Sequence, residues 1–265
     1  MKPVAVLGSG PAGLMSAWAC HQAGLPVVIL SPGKKSRLGG AQFLHAPIPG
    51  IHGAKVPQTR VQYFRRGEPD LYRKKAFGDL DVEWRPWTDG GQPQFRDAWS
   101  LDRTYTFLWN TFEHAVRNDL NTRSVGPEWI REEGPEFSMV ISTVPLLTLC
   151  EKPKEHKFIT QEVLIYPEAF EGMPDDTVLY DGTPDKSWYR CSNIFGTSFT
   201  EWGAGSKTPP GLEMIRDYKP MSSSCDCLDM PGVIKVGRRG KWDAREFSHG
   251  AYYDTMTAIG VLYGR

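Results

Sequence analysis

The sequence predicts an α/β fold, a parallel sheet with helices, continued into a smaller α+β region. Three observations carry this. Val4-Ala5-Val6-Leu7 is a short apolar run with β-branched residues, as a strand buried on both faces requires. Leu14 to Cys20 reads as a helix rich in small residues, and Gly24 follows as a helix C-cap should. Pro26-Val27-Val28-Ile29-Leu30 is then a second strand. Strand, turn, helix and strand fit within about 30 residues, the size of one βαβ unit.

Between the first strand and the helix stands Gly8-Ser9-Gly10-Pro11-Ala12-Gly13. In such a turn Gly8 permits the tight bend, Gly10 lets a pyrophosphate reach the backbone, and Gly13 lets the helix pack against the strand. The free amides at the helix start, with Pro11 and Ala12 in its first turn, meet phosphate with the positive end of the dipole. The pattern is common by itself; its place between a strand and a helix makes it a Rossmann-like dinucleotide site. The second strand usually ends in an acid that holds the ribose hydroxyls. Here Ser31-Pro32-Gly33 follows Leu30, and Ser31 offers one hydroxyl where a carboxylate would chelate two. Lys34-Lys35 reads as a solvated turn or as a neighbour of the phosphates.

Composition sets the limits. The chain has 265 residues, 31 Lys+Arg against 31 Asp+Glu, 40% apolar and 23% charged residues, so it is globular with zero net charge. That length holds one large domain or two sharing a core. No apolar run approaches the roughly 18 residues of a membrane span, and the N-terminus runs straight into a strand. No membrane partner and a cytoplasmic location are expected. Zero net charge gives no support to a nonspecific nucleic-acid coat, although a local basic strip is compatible with it. The five cysteines, Cys20, Cys150, Cys191, Cys225 and Cys227, are odd in number and scattered, which predicts reduced thiols rather than a disulfide framework. Cys225-Asp226-Cys227 is the one close pair, and the sequence around it holds no second pair or His cluster to complete a zinc site. The pair reads as a loop with two thiols, and no metal is expected.

Arg37-Leu38-Gly39-Gly40 follows the second strand. Here the chain resembles the flavoprotein superfamily of amine oxidases, protoporphyrinogen oxidase and UDP-galactopyranose mutase, in which an Arg-x-Gly-Gly turn carries the phosphate and ribityl region of the flavin. Two further segments carry the resemblance. Phe137 to Leu146, with Ser142-Thr143-Val144-Pro145, looks like the family strand that closes the FAD domain, which implies Thr143 and Pro145 beside the cofactor. Gly237-Arg238-Arg239-Gly240-Lys241-Trp242, ahead of a helix beginning near Ser248-His249, looks like the C-terminal flavin-facing segment, which implies Gly237, Arg238 and His249. The resemblance covers about a third of the chain. It implies noncovalently bound FAD, in a compact form like that found in some bacterial viruses. On residues alone, Ser248 is a good N-cap and Ala251, Tyr252, Thr255, Met256 and Ile259 recur at helical spacing. A helix start suits the anionic edge of a reduced flavin; core packing accounts equally for the periodicity.

Residues 1–50, 120–150 and 225–265 are thus expected to form a discontinuous FAD-binding domain, with 51–119 and 151–224 as the substrate cap. Between 47 and 100 the chain reads as short strands and loops. Ser100 then precedes a helix marked by Tyr105, Leu108, Trp109, Phe112 and Val116. Lys157–Ile165, Thr177–Tyr180 and Trp188–Phe195 read as strands, with an Asp181-Gly182 turn before the last. A second glycine fingerprint after a strand is absent, so no separate nicotinamide domain is expected.

For the chemistry, His45 is the first choice, a few residues after the glycine turn, with an ordinary pKa near 6.5 suited to proton transfer. Arg190 and Trp188 would share one strand face, Arg190 binding an anionic group with its planar fork. Three functions follow. The first is an FAD-dependent, amine-oxidase-like oxidoreductase acting on a C–N or C–C bond of a small polar or anionic substrate. The second is non-redox flavin chemistry, mutase- or lyase-like, on a nucleotide-linked or DNA-attached amine-bearing group, such as a modified thymine base. The third is a flavin-binding module without catalysis. Hydrolase and kinase motifs are missing.

Overall fold

Two sheets organise the chain. The computed structural model describes residues 1–36, 38, 42–53, 56–82, 92–118, 125–169, 172–227 and 232–263, of Tyr263 the backbone alone. In chain order the elements begin β1 (Val4–Leu7), α1 (Pro11–Gln22), β2 (Val27–Leu30), β3 (Phe43–Leu44), β4 (Gln58–Gly67), α2 (Pro69–Phe77), β5 (Gln94–Ser100), α3 (Leu101–Phe112) and β6 (Val116–Arg117). There follow α4 (Pro127–Glu132), β7 (Met139–Ser142), α5 (Leu146–Leu149), β8 (Phe158–Tyr166), β9 (Thr177–Gly182) and β10 (Arg190–Ile194). Last come β11 (Thr197–Gly203), β12 (Ile215–Ser223), β13 (Val233–Lys235), α6 (Gly237–Lys241) and α7 (Gly250–Tyr263).

The first sheet is parallel throughout, in the order β13-β7-β1-β2-β6. Every residue of β1 and of β7 is buried, which explains their uninterrupted apolar character. From β1 the chain passes to β2 on one side and later to β7 on the other. That reversal opens a crevice at the carboxyl ends of β1 and β7, where ligands of open α/β sheets bind. Helix α1 packs on the sheet through Leu14, Met15 and Ala17, and α7 lies against α1. Ser16 Oγ donates to the Ala251 carbonyl at 3.3 Å, and the Tyr252 hydroxyl to Gln22 Oε1 at 2.6 Å. Helix α7 begins at Gly250, two residues beyond the expected start.

Ser100 caps α3 as expected, accepting from the Arg103 amide at 3.3 Å. The buried stripe Leu101, Tyr105, Leu108 and Phe112 joins the core of α1 and the parallel sheet. This redraws the expected division of the chain. Helix α3 and β6, placed by the sequence in the 51–119 cap region, belong with the parallel sheet. Conversely β3, placed in the 1–50 segment, pairs with β5 in the second sheet.

The second sheet runs β12-β8-β11-β10-β9-β4-β5-β3, antiparallel except for the β4–β9 pair. The ten-residue β4 and helix α2 arise where only short strands and loops were expected. Helix α2 buries just Tyr72 and Ala76, too little apolar periodicity to read. The expected Asp181-Gly182 turn is instead the end of β9. Asp181 is fully buried there, accepting from Arg66 Nε at 2.7 Å and Lys75 Nζ at 2.8 Å. Among the described residues no helix is long and apolar enough to cross a membrane.

Candidate flavin site

The cradle at the end of β1 is built by close backbone approach. Gly8 has φ +104°, and a Cβ on it would run into the Thr143 hydroxyl. Thr143 is held by its own bonds to the end of β1, Oγ1 donating to the Leu7 carbonyl at 2.7 Å and its amide at 3.1 Å. A Cβ on Gly13 would overlap the Gly8 carbonyl oxygen, so α1 packs on the turn with no room to spare. Gly10 differs. Its φ of −69° suits any residue, and a Cβ there would meet nothing within 4 Å. The start of the twelve-residue α1, with Pro11 in its first turn, therefore offers open amides beside a residue kept small for no internal reason.

The C-terminal segment closes the other side. Gly237, at φ +68°, approaches Ala12 so closely that a Cβ would stand 2.8 Å from the alanine methyl. A Cβ on Gly240 would stand 2.5 Å from the Ser142 carbonyl oxygen. Arg238 turns its guanidinium to the carbonyls of Ala244 (3.0 Å) and Glu246 (3.3 Å), and burial lowers its pKa from the usual value. Pro145 caps the short α5 one residue beyond Val144. Two buried polar atoms without a partner among the described residues, Ser142 Oγ and His249 Nδ1, belong to these same segments. A cradle with glycines at each close approach, an open helix start and a desolvated arginine fits an anionic dinucleotide. FAD held noncovalently matches it.

Ser31 is buried, its hydroxyl 2.6 Å from that of Ser9, which also donates to the Gly33 carbonyl at 2.5 Å. Ser31 therefore ties the two loops together. Arg37, Gly39 and Gly40 lie outside the described residues.

Beyond the cradle, His45 sits among rings. Phe43 and Phe247 each stand 4.6 Å from it between centroids, and His249, stacked on Phe247 at 5.6 Å, stands 6.3 Å away. Burial, then the nearby His249, Arg96, Arg190 and Arg238, lower the His45 pKa to about 4. The imidazole is neutral at pH 7, an acceptor rather than the ready proton donor that its ordinary pKa suggested. Burial lowers His249 as well.

His45 and Phe247 open onto a cavity of about 190 Å³, lined further by Tyr63, Arg65, Gln94, Arg96 and Tyr180. Strand alternation puts Tyr63 and Arg65 on one face of β4. Register then sets Gln94 opposite Tyr63 and Tyr180 opposite Arg65. Arg96 lies over the Tyr63 ring at 5.7 Å. Among the described residues the lining holds two guanidinium groups and no carboxylate. A larger cavity of about 370 Å³ lies at the amino ends of β7 and β13, the wrong end of a parallel sheet for this chemistry.

Arg190 and Trp188 correct the expected substrate wall. Arg190 lies opposite Tyr180 in the sheet, next to the cavity but outside its lining. Its Nη1 donates to the buried Glu201 carboxylate at 2.7 Å. Trp188 precedes β10 and is buried with Leu179, Cys191 and Trp202 as core. Sequence reasoning missed Arg65, Arg96 and the two tyrosines. The alternation Val61, Tyr63, Arg65 was visible, but which strands flank β4 was not.

Comparison with known proteins agrees with this geometry. Residues 3–48 match the FAD binding domain family model. No curated protein matches the chain in sequence. Among solved structures, reduced UDP-galactopyranose mutase matches at 9% identity over 100% of this chain and 94% of that one, TM-score 0.61. The 2,6-dihydroxypyridine-3-hydroxylase from Arthrobacter nicotinovorans matches at 11% identity over 99% and 83%, TM-score 0.58. A geranylgeranyl bacteriochlorophyll reductase-like protein from Thermoplasma acidophilum matches at 13% identity over 99% and 78%, TM-score 0.57. The fold is that of the α/β, Rossmann-like flavoproteins. Residues 3–48 are thus similar to an FAD binding domain, and FAD is the cofactor this match supports.

Proposed function

We propose that this flavoprotein is an FAD-dependent oxidoreductase that acts on a C–N or C–C bond of a small anionic substrate, in the manner of an amine oxidase. The observation that carries the reading is the cavity beside His45, whose lining among the described residues holds Arg65, Arg96 and two tyrosines but no carboxylate. FAD, when bound, supplies the two-electron acceptor. Arg65 and Arg96 hold the carboxylate or phosphate of the substrate and so fix its orientation. Phe43 and Phe247 flank the imidazole, each 4.6 Å from it between ring centroids. His45, neutral and with Nδ1 unpartnered, takes the proton that leaves the substrate.

The second reading is mutase- or lyase-like chemistry without net redox change, on a nucleotide-linked or DNA-attached amine-bearing group. Whole-chain likeness to a reduced UDP-galactopyranose mutase supports it. Anaerobic mixing of the FAD-loaded protein with a panel of anionic amines separates the readings. Bleaching of the flavin absorbance by one of them supports the oxidoreductase, and turnover only after prior reduction supports the second reading. Retained FAD with neither response leaves a binding module, and the first reading is then wrong.

A further inference from the structure

The Cys225-Asp226-Cys227 pair, isolated in the sequence, has company in the fold. Cys150 follows α5 directly and His156 lies six residues on, and both meet the pair. His156 Nδ1 lies 3.2 Å from Cys150 Sγ and 3.6 Å from Cys227 Sγ, and those two sulfurs are 3.9 Å apart. With Cys225 included, all four donor atoms lie within 4.8 Å of one another. A tetrahedral zinc with bonds of about 2.3 Å to sulfur and about 2.0 Å to nitrogen sets its ligand atoms roughly 3.5–3.8 Å apart. The His156, Cys150 and Cys227 donors lie close to that spacing, and Cys225 completes the set within 4.8 Å. A disulfide needs its sulfurs at about 2.05 Å and has no use for an imidazole nitrogen between them.

The surroundings are also those of a metal site. His156 Nε2 faces Asp226 Oδ1 at 3.6 Å, so a carboxylate stands behind the nitrogen that turns away from the thiols. Backbone amides of Glu151 and Lys152 hydrogen-bond to the Cys227 sulfur, and that of Lys152 to Cys150 as well. Such amide–sulfur bonds suit thiolates that share a cation.

We propose that Cys150, His156, Cys225 and Cys227 form a closed, structural zinc site. Four protein ligands leave no position for water or substrate, which separates it from catalysis. Its place in the fold explains its use. The chain leaves the parallel sheet through Cys150 toward β8 and returns from β12 through Cys225 and Cys227 toward β13. Strands β8 and β12 pair as far as Phe158 and Ser223, and Lys157 and Ser224 add bonds of 3.0 and 3.1 Å. The zinc ties the two crossings together just where that ladder ends, and so fixes one sheet to the other.

The test uses FAD-loaded protein made without a metal-affinity tag in zinc-supplemented medium, dialysed against EDTA and analysed by plasma mass spectrometry. About one zinc per chain is expected in the wild type, and less than about a tenth of that in the Cys225→Ser, Cys227→Ser double variant. Cobalt(II) exchanged into the wild type should give the absorption bands of a tetrahedral cobalt–thiolate site, to the red of the flavin bands; this decides the matter if the double variant does not fold. Wild-type protein with less than about a tenth of an equivalent of zinc and no cobalt bands under reducing conditions overturns the site. Zinc retained by the double variant overturns it equally. Thiols that appear only after reductant is added mark a disulfide, and that result overturns it too.

Discussion

Gly10 and Gly13 are glycine for different reasons, and substitution separates them. Gly10 has ordinary backbone angles and open space at its Cβ position, so Gly10→Val should fold and melt near the wild type. Its isopropyl group would stand where the pyrophosphate meets the backbone, and FAD content after gel filtration should fall sharply. Gly13→Ala instead presses a methyl into the Gly8 carbonyl and should cost more than about 2 kcal/mol of stability, with or without cofactor. Equal melting temperatures for the two variants would contradict this division. His45 allows a second residue-scale prediction. Its folded pKa, about 4, lies below the unfolded value of 6.5, so between those limits the unfolded chain binds more protons. The contribution of His45 to stability is therefore full above pH 6.5 and lost as pH falls toward 4. His52 behaves alike, its pKa also lowered to about 4 by burial against Trp99. NMR titration of the FAD-free protein should find both imidazoles neutral at pH 6, and His45→Gln should flatten the stability profile between pH 6.5 and 4. A His45 midpoint near 6.5 would refute the assignment.

At the scale of elements, register assembles a row across the second sheet: Arg65 on β4, Tyr180 on β9, Arg190 on β10 and Glu201 on β11. Burial alone would raise the Glu201 pKa, but Lys219, Arg190 and the Tyr189 hydroxyl hold it down at about 2. Glu201→Gln leaves two cations short of their counter-charge and should cost about 3 kcal/mol, with FAD content unchanged. The folded pKa is below the unfolded one, so this stabilisation is present above about pH 4.5 and disappears as pH falls toward 2. Arg190→Lys should then show chiefly as lost stability, because its Nη1 serves Glu201; a higher KM at unchanged melting temperature would return Arg190 to the substrate site. The same row shows what a sequence can disclose. The first βαβ unit was legible because its strand, glycines and helix are adjacent in the chain, and α3 because a cap and a full apolar stripe mark it. The cavity was not, because Tyr63, Gln94 and Tyr180 meet only through the order and register of β4, β5 and β9. The Cys–His cluster was hidden for the same reason, Cys150 and Cys227 being 77 positions apart.

For the whole molecule, zero net charge conceals a strongly uneven field. Arg65 and Arg96 line the cavity, and Arg190 and Arg238 lie close enough to bear on His45. Arg190 is compensated directly by Glu201, 2.7 Å from its Nη1. A cleft lined by one sign of charge raises the local concentration of opposite charge and orients it on approach. Arg96 is the place to test this, because it is exposed and among the described residues stacks over Tyr63 alone, so its removal should change stability by less than about 0.5 kcal/mol. Arg96→Gln should raise KM for an anionic substrate by roughly tenfold while kcat stays within about twofold, the sign of a group that binds ground and transition states alike. Inorganic phosphate should inhibit the wild type competitively, more weakly as sodium chloride is raised, and inhibit the variant least. The neutral amide analogue of the same substrate should bind both proteins equally. Should Arg96→Gln and wild type discriminate acid from amide to the same extent, the cavity arginines do not read substrate charge.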